Sequence, residues 1–176
     1  MEDDHTYQDI LKDLMEKYGD MVLRVAFTYV KEEKLAEDLS QEIFIRCYKS
    51  LHNFDNRSSY KTWLYRITVN YCKDYVRSWA FRKLIPKSMT KVEYEHNMRS
   101  VATEVLEKEE SEELFHKVLR LSVKLREVII LYYYEELTVD EISDVLDVNS
   151  NTVKSRLHRA RRNLKEYMKG GMVLGE

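Results

Sequence analysis

The sequence predicts an all-α protein made of two small helical domains joined by a flexible linker. Its 176 residues include only one proline and four glycines, whereas an all-β fold needs many such residues in its turns. Hydrophobic residues make up 44% of the chain, which is too much for a disordered protein and enough for compact cores. A chain of this length corresponds to one large domain or two small ones.

Three other features of the sequence narrow the class of protein. No run approaches the 18 apolar residues of a transmembrane helix, and the acidic start, residues 1–4, is unlike a signal peptide. Cys47 and Cys72 are 25 positions apart without a CxxC pattern, and the five histidines are scattered. We therefore expect a soluble, cytoplasmic protein with no disulfide framework, metal or other cofactor.

Residues 1–80 form the predicted first domain, in which hydrophobic positions recur at helical spacing four times. These positions are Ile10, Leu11, Leu14 and Met15; Met21, Val22, Val25, Ala26 and Tyr29; Leu35, Leu39, Ile43, Cys47 and Leu51; and Tyr60, Leu64, Ile67, Tyr71 and Tyr75. The third segment carries polar residues on its opposite face, namely Asp38, Gln41, Glu42 and Lys49. A polar break at residues 53–59 supplies serine and asparagine caps before the fourth helix.

Residues 81–112 form the predicted linker. Pro86, the only proline, lies here, the hydrophobic periodicity fades, and the charge changes from basic to acidic. A helix is expected only near residues 101–113. The second domain, residues 113–170, begins where helical spacing returns near Leu114, and Gly170 and Gly171 are expected to end its last helix.

Residues 137–161 predict a helix-turn-helix. Thr138 and Glu141 have the spacing of a capping box, and Leu137 and Ile142 that of a hydrophobic staple. The turn, residues 147–150, has Asp147 where glycine is usual, and aspartate tolerates positive φ better than most residues. Ser143 stands where alanine commonly packs. The inward positions are Ile142, Val145 and Leu146 in the first helix and Val153, Leu157 and Ala160 in the second.

The second helix of this motif has a basic outward face, formed by Lys154, Ser155, His158, Arg159 and Arg162. A helix N-terminus meets phosphate through its free N–H groups, and outward side chains reach base edges in the major groove, where arginine and lysine favour guanine. This pattern indicates a recognition helix. The alternative is a small amphipathic helical hairpin with a basic face.

A second polyanion-binding surface is predicted in the first domain. Residues 57–91 contain nine bases and one acid, a net charge of +8, and residues 151–165 contain six bases and no acid. Within residues 60–79, six aromatic residues are interleaved with lysine and arginine, and aromatic rings stack on unpaired bases with about 1–3 kcal/mol each. We expect Tyr71 and Tyr75 to pack in the core, whereas Trp63, Tyr65 and the preceding loop are better candidates for stacking. Solvated helix faces are the alternative for each basic run.

Three stretches resemble the extracytoplasmic function (ECF) type of bacterial RNA polymerase sigma factor. The sequence DLSQEIF at residues 38–44 is similar to the clamp-binding motif of that family. The sequence SYKTWLYRITVN at residues 59–70 is similar to its promoter-melting segment, and TVKSRLHRAR at residues 152–161 to its −35 reading helix. The resemblance covers roughly residues 7–80 and 112–169. Ser122 follows Leu121 where the family typically has proline.

The resemblance implies a role for each of these stretches. Residues that would bind the β′ clamp of core RNA polymerase are Asp38, Gln41, Glu42 and Phe44. Residues that would hold the melted −10 strand, with a flipped base in the loop, are Phe54, Asn56, Ser58, Tyr60, Lys61, Trp63, Arg66 and Asn70. Residues that would read the −35 bases are Lys154, Ser155, His158 and Arg159, and those that would hold its phosphates are Thr138, Thr152, Arg156 and Arg162.

The resemblance also implies partners: core RNA polymerase through its β′ clamp and β flap, promoter DNA, and an anti-sigma factor that is often membrane-bound. The implied function is transcription initiation without covalent chemistry by this chain, which is therefore not expected to be an enzyme. One alternative is a stand-alone helix-turn-helix regulator that uses only residues 114–169. Another is an RNA-binding or enzymatic protein that uses the aromatic helix.

Overall fold

The computed structural model describes residues 2–78 and 109–169, and it describes side chains within residues 6–78 and 113–169. All regular structure in these ranges is helical, which confirms the predicted all-α fold. The chain divides into two compact units, residues 1–91 and 92–176. The predicted linker lies outside the described residues up to position 108, and so does the predicted cap at Gly170 and Gly171.

Residues 2–78 of the first unit form a bundle of three helices, α1 (Glu2–Val30), α2 (Glu33–Ser50) and α3 (Tyr60–Arg77), which all pack against one another. A short 3₁₀ turn, Leu51–Asn53, follows α2. The bundle core is formed by apolar side chains with at most 2% of their surface exposed, including Val22, Phe27, Ile43, Leu64, Tyr65 and Val69.

The first two predicted segments form a single helix, α1, which corrects the prediction of two separate ones. The helix continues through Gly19, although an internal glycine costs about 1 kcal/mol. Burial of Leu14 on one side and of Met21 and Val22 on the other offsets that cost, because these side chains pack in one core. Met15, expected on the inner stripe, is 49% exposed.

The described part of the second unit, residues 109–169, contains four helices: α4 (Glu109–Arg120), α5 (Val123–Ile129), α6 (Val139–Leu146) and α7 (Ser150–Met168). The helix α7 packs against the other three. Ser122 precedes α5 in an extended conformation, with φ −58° and ψ 152°, so serine here starts the helix where the family typically has proline. No described helix is long and apolar enough to cross a membrane.

A π-helical turn, Ile130–Tyr134, continues α5. It closes with a hydrogen bond from the Glu135 N–H to the Ile130 carbonyl at 3.1 Å. Ile130 and Leu131 remain buried, whereas Tyr133 is 51% exposed. The hydrophobic pattern does not reveal this turn, since the buried positions fit an ordinary helix as well.

Candidate nucleic-acid interface

The helix α6 begins with the predicted capping box. The Glu141 N–H donates to the Thr138 hydroxyl oxygen at 3.3 Å, and the Thr138 N–H donates to Glu141 Oε2 at 2.8 Å. The staple residues Leu137 and Ile142 are buried, at 4% and 0% exposure. Local sequence therefore fixes both the start of this helix and the angle at which the chain enters it.

The turn between α6 and α7 is tight because Asp147 adopts the left-handed conformation, with φ 52° and ψ 53°. Ser143 holds the turn closed, because its hydroxyl donates to the Val148 carbonyl at 2.6 Å. That hydrogen bond is a reason for serine where alanine commonly packs. The side chain of Asn149 then caps α7 by accepting from the Asn151 N–H at 2.7 Å.

The helix α7 separates its two faces as predicted. Val153, Leu157 and Ala160 are 0%, 3% and 0% exposed and pack in the core of the unit. The exposed residues on the outward side are Lys154, Ser155, His158, Arg159 and Arg162, and Thr152 is half-buried. The first turns of α7 therefore present side chains that can donate hydrogen bonds to base edges and phosphates.

Two residues predicted to hold phosphates make contacts inside the protein. The Arg156 guanidinium donates to Glu127 at 3.0 Å, and their side chains are only 18% and 3% exposed. Arg156 therefore links α7 to α5. Thr138 donates its hydroxyl proton to Glu141 Oε2 at 2.9 Å, and this carboxylate would repel a phosphate. The two phosphate-holding roles stay predictions, and each would require the residue to share or give up its internal contact.

Three aromatic rings close the loop that precedes α3. The rings of Phe54 and Tyr60 stack with centroids 4.2 Å apart, and Trp63 lies 5.1 Å from Phe54 and 6.3 Å from Tyr60. All three residues are half-buried. Because Phe54 and Tyr60 already stack on each other, a base has no free space between them, and the outer surface of the cluster is what remains for stacking.

The loop enclosed by these rings is polar and exposed. Asn56 has a positive φ of 56°, and the exposed side chains of Arg57 and Asp55 form an ion pair at 3.0 Å. Ser59 caps α3 by accepting from the Thr62 N–H at 3.1 Å, and Ser58 is half-buried. The loop thus presents amide and hydroxyl groups beside an aromatic platform.

The helix α3 continues from the loop with a partly basic outer face. Arg66 and Asn70 are exposed, and the Lys61 amine lies 5.9 Å from the centre of the Tyr65 ring. Tyr65 itself is 0% exposed, so the expectation that it stacks on a base is wrong. Its ring fills the core between the helices, as aromatic residues at helical spacing commonly do.

The polar face of α2 is exposed at Asp38, Gln41 and Glu42. Phe44, expected beside them, is only 6% exposed, so most of its ring packs in the core, and its contact with a partner stays a prediction. Ile45, which was not among the predicted contact residues, is 45% exposed and lies four residues after Gln41. An isoleucine one turn from a polar stripe is the signal that identifies it.

The polar face of α2 is joined to α3 by a cation–π contact. The Arg46 guanidinium lies 4.4 Å from the centre of the Tyr71 ring. Burial, together with the nearby Glu42 carboxylate, raises the pKa of the Tyr71 phenol above its usual value of 10.0. The phenol therefore stays protonated at neutral pH. Tyr71 is half-buried and is not among the buried core residues, which differs from the expectation that it packs in the core.

Taken together, a capped helix-turn-helix and a separate three-helix unit with an aromatic loop define a helical DNA-binding protein with two functional units. Comparison with known protein families supports this description, because a separate family matches each unit. Residues 14–81 match the family described as Sigma-70 region 2, and residues 111–164 match Sigma-70, region 4.

The chain is similar along most of its length to characterised members of that family. It is 30% identical over 169 residues to the ECF RNA polymerase sigma factor SigW of Bacillus subtilis, covering 92% of this chain and 90% of SigW. It is 32% identical over 162 residues to SigM of the same organism, covering 92% and 97%. The chain belongs to the ECF group of the sigma-70 family. It is a sigma factor, which directs RNA polymerase to specific promoters.

Solved structures show the same fold. The CnrH structure, solved in complex with the cytosolic domain of CnrY, has a TM-score of 0.66 at 23% identity, with 94% of this chain and 91% of that chain covered. The sigma factor RpoE of Bartonella quintana, solved with the anti-sigma factor NepR, has a TM-score of 0.66 at 21% identity, covering 92% and 98%. Since the family matches include both units, a stand-alone regulator that uses only the second unit is the weaker interpretation.

Proposed function

We propose that this sigma factor reads the −35 element as duplex DNA with α7 and holds the melted −10 strand on the loop before α3. The observation that carries the proposal is the division of α7 into a buried apolar face and an exposed polar face directly after a tight turn. A helix with that division is anchored on one side and free to enter the major groove on the other.

At the −35 element, Lys154, Ser155, His158 and Arg159 read base edges. Arg159 is exposed and lies beyond the first turn of α7, and an arginine in such a position can contact guanine O6 and N7 with two hydrogen bonds. Thr152 and Arg162 contact phosphates, which position the helix without reading sequence.

At the −10 element, the loop and the aromatic cluster hold unpaired nucleotides. A base stacks on the outer surface of the Trp63–Tyr60 platform, and Asn56 and Ser58 supply hydrogen-bond partners for its edge. Extracting a base from the duplex costs a few kcal/mol, and stacking returns about 1–3 kcal/mol for each base.

Asn70 contacts a different nucleotide from the one in the loop. It lies on the same side of α3 as Trp63 but seven residues further along, which corresponds to about 10 Å of helix axis. Arg66 lies between them on this side, and Lys61 lies five residues before Arg66, in the first turn of α3. These basic side chains neutralise the phosphates of the strand as it runs along α3.

The exposed face of α2 docks on the β′ clamp of core RNA polymerase through Asp38, Gln41 and Glu42, with Ile45 adding an apolar contact. A second contact is made with the β flap. The chain performs no covalent chemistry itself and acts in the cytoplasm. An anti-sigma factor, membrane-bound in many members of the family, masks these surfaces until a signal releases it. This part of the proposal is supported by the structure of RpoE, which was solved in complex with the anti-sigma factor NepR.

The test is transcription by purified core RNA polymerase with and without the full-length chain on fragmented genomic DNA. We expect discrete transcripts whose start sites share a −35 and a −10 sequence, and stoichiometric co-elution of the chain with core polymerase. Absence of stimulated transcripts together with specific binding to duplex DNA by the chain alone would instead support a stand-alone regulator.

A further inference from the structure

The π-helical turn after α5 places two tyrosines beside an arginine of α7 that the predicted DNA contacts do not include. Arg161 Nε donates to the Tyr133 hydroxyl oxygen at 2.7 Å. The Arg161 guanidinium also lies 5.7 Å from the centre of the Tyr132 ring and 5.6 Å from that of Tyr133. The two rings meet edge to face at 4.9 Å.

This arrangement leaves hydrogen-bond donors free on one side of Arg161. Among the residues that the structure describes, its two Nη groups have no hydrogen-bond acceptor, and Tyr133 keeps its own hydroxyl proton for another partner. Both residues are exposed. Because Tyr133 fixes the Nε end and the rings hold the guanidinium plane, the free Nη groups form a preorganised fork, which is the geometry that phosphate oxygens accept.

The position of Arg161 on α7 puts this fork beside the DNA-reading face. Arg161 lies three residues after His158 and seven after Lys154, so all three share one side of the helix. It stands about 10 Å further along the helix axis than Lys154. If the first turns of α7 contact base edges in a major groove about 12 Å wide, Arg161 lies near the groove edge, where the phosphates are.

We propose that Arg161 and Tyr133 form a phosphodiester-binding site on the DNA backbone beside the −35 element, with Tyr133 as the residue that positions Arg161. The proposal rests on −35 binding by α7. It assigns a phosphate contact to an exposed arginine about three turns from the helix start, whereas Arg156 is paired with Glu127. It also gives a function to the π-helical turn, which brings Tyr133 to the surface.

The test measures promoter binding by holoenzyme, assembled from core RNA polymerase and the full-length chain, at several salt concentrations. The DNA is a promoter fragment identified by transcript mapping and the same fragment with its −35 sequence scrambled. We expect Arg161→Ala to weaken binding to both fragments by a similar factor, about tenfold, and to reduce the slope of log affinity against log salt by about one.

Tyr133→Phe distinguishes positioning from charge, because it removes only the hydroxyl group. We expect this variant to weaken binding severalfold while leaving the salt slope close to that of the wild type. Arg120→Ala is the matched control, since Arg120 is also exposed and stacks on a tyrosine, 4.6 Å from the centre of the Tyr167 ring. It removes one positive charge from the same unit, and we expect unchanged binding and slope.

Three results would overturn the proposal: a salt slope unchanged by Arg161→Ala, an effect no larger than that of Arg120→Ala, or a loss confined to the intact −35 sequence. The last result would make Arg161 a base-reading residue. Equal binding of both fragments by wild-type holoenzyme would instead contradict the −35 role itself, so the two failures are distinguishable. Circular dichroism and core-polymerase affinity check that each variant folds and assembles.

Discussion

Arg156 and Arg159 lie three positions apart on the same helix, yet their side chains have different environments. Arg156 turns back to a buried carboxylate on α5, whereas Arg159 extends into solvent. A charge held in a buried pair is costly to remove and contributes to the fold, while an exposed arginine on the outward face of α7 is available to DNA. At the scale of the residue, accessibility therefore decides which basic side chains can read or hold a promoter.

Arg159→Ala should weaken promoter binding by about 1–3 kcal/mol when the −35 sequence is intact, because two hydrogen bonds to a guanine are lost. The measurement is holoenzyme affinity for the intact promoter and for a fragment with a scrambled −35 sequence. Arg162→Ala, as a phosphate contact, should weaken binding to both fragments alike. An equal loss on both fragments for Arg159→Ala would contradict its base-reading role.

The two thiols should be almost unreactive in the folded protein. Burial raises the pKa of Cys47 and of Cys72 from 9.0 to about 12, and only the thiolate is nucleophilic. At pH 8, native protein should therefore react with iodoacetamide about a thousandfold more slowly than unfolded protein. Mass spectrometry of the alkylated chain measures this, and rapid labelling of the native state would contradict the burial.

The same pKa values predict a loss of stability at high pH. The folded state holds these two protons more tightly than the unfolded state, so their stabilising contribution is complete below pH 9.0. It is lost as the pH rises towards about 12. Urea unfolding followed by circular dichroism between these pH values measures the decline, and replacing both cysteines with alanine should remove this part of it.

At the scale of the element, the turn of the helix-turn-helix depends on one backbone conformation and one side-chain hydrogen bond. The turn requires a positive φ at Asp147, and the Ser143 hydroxyl closes it. The exposed residues of α2, in contrast, are not needed for folding, since Ala36, Leu39 and Ile43 pack that helix into the bundle core. Exposed polar residues there are free to serve a partner.

Asp147→Val should destabilise the helix-turn-helix by about 1–2 kcal/mol, because a β-branched residue is strained in the left-handed conformation. Asp147→Gly should not be destabilising, since glycine adopts this conformation without strain. Hydrogen exchange of the α7 amides in the full-length chain measures both effects. Equal losses for valine and glycine would indicate that the aspartate side chain matters and not the backbone conformation.

Asp38→Ala combined with Gln41→Ala should lower the affinity for core RNA polymerase without changing helicity. Both side chains are exposed, so their loss removes contacts with a partner and none with the core. Gln8→Ala combined with Asp9→Ala is the matched control, because it removes the same two groups from exposed positions of α1. Core binding measured by fluorescence should fall only for the α2 pair, and unfolding of that variant would instead indicate a structural role.

At the scale of the whole molecule, the chain combines two units that each have their own apolar core. One unit carries the aromatic loop and the polar face of α2, and the other carries the helix-turn-helix. A covalent connection makes binding of the second unit intramolecular once the first is bound, which raises its effective concentration. A sigma factor that contacts two promoter elements depends on this connection.

Cutting the chain between residues 91 and 92 should therefore lower −35-dependent promoter affinity by about 10²–10⁴-fold, even when both pieces are supplied. Circular dichroism of each piece checks that it remains helical. Transcription from a promoter with an intact −35 element, by core polymerase with the two pieces or with the intact chain, provides the measurement. Full activity of the mixed pieces would contradict a requirement for the connection.

Much of this organisation can be predicted from local sequence. The capping box at Thr138 and Glu141, the turn at Asp147 and the inward stripe of α7 depend on residues within a few positions of one another, and the structure confirms them. The roles of the outward residues of α7, α2 and the loop remain predictions, because no contact within this chain reports on them.

The errors arose where contacts are distant in sequence. Periodicity gives the direction of a side chain on its own helix, but not what lies opposite. Tyr65 was therefore taken for a stacking residue although it is buried, and the pairing of Arg156 with Glu127, 29 positions away in α5, was not foreseen. For the same reason, periodicity does not predict the hydrogen bond between Arg161 and Tyr133, which lie 28 positions apart.

The sequence by itself determined the helical class, the two units and the helix-turn-helix, because hydrophobic period, caps and turn residues act over a few positions. Only the tertiary structure decided which arginines and aromatic rings remain accessible. Burial and ion pairing depend on the neighbouring helix, and a side chain already held by such a neighbour cannot bind DNA or polymerase without first losing that contact.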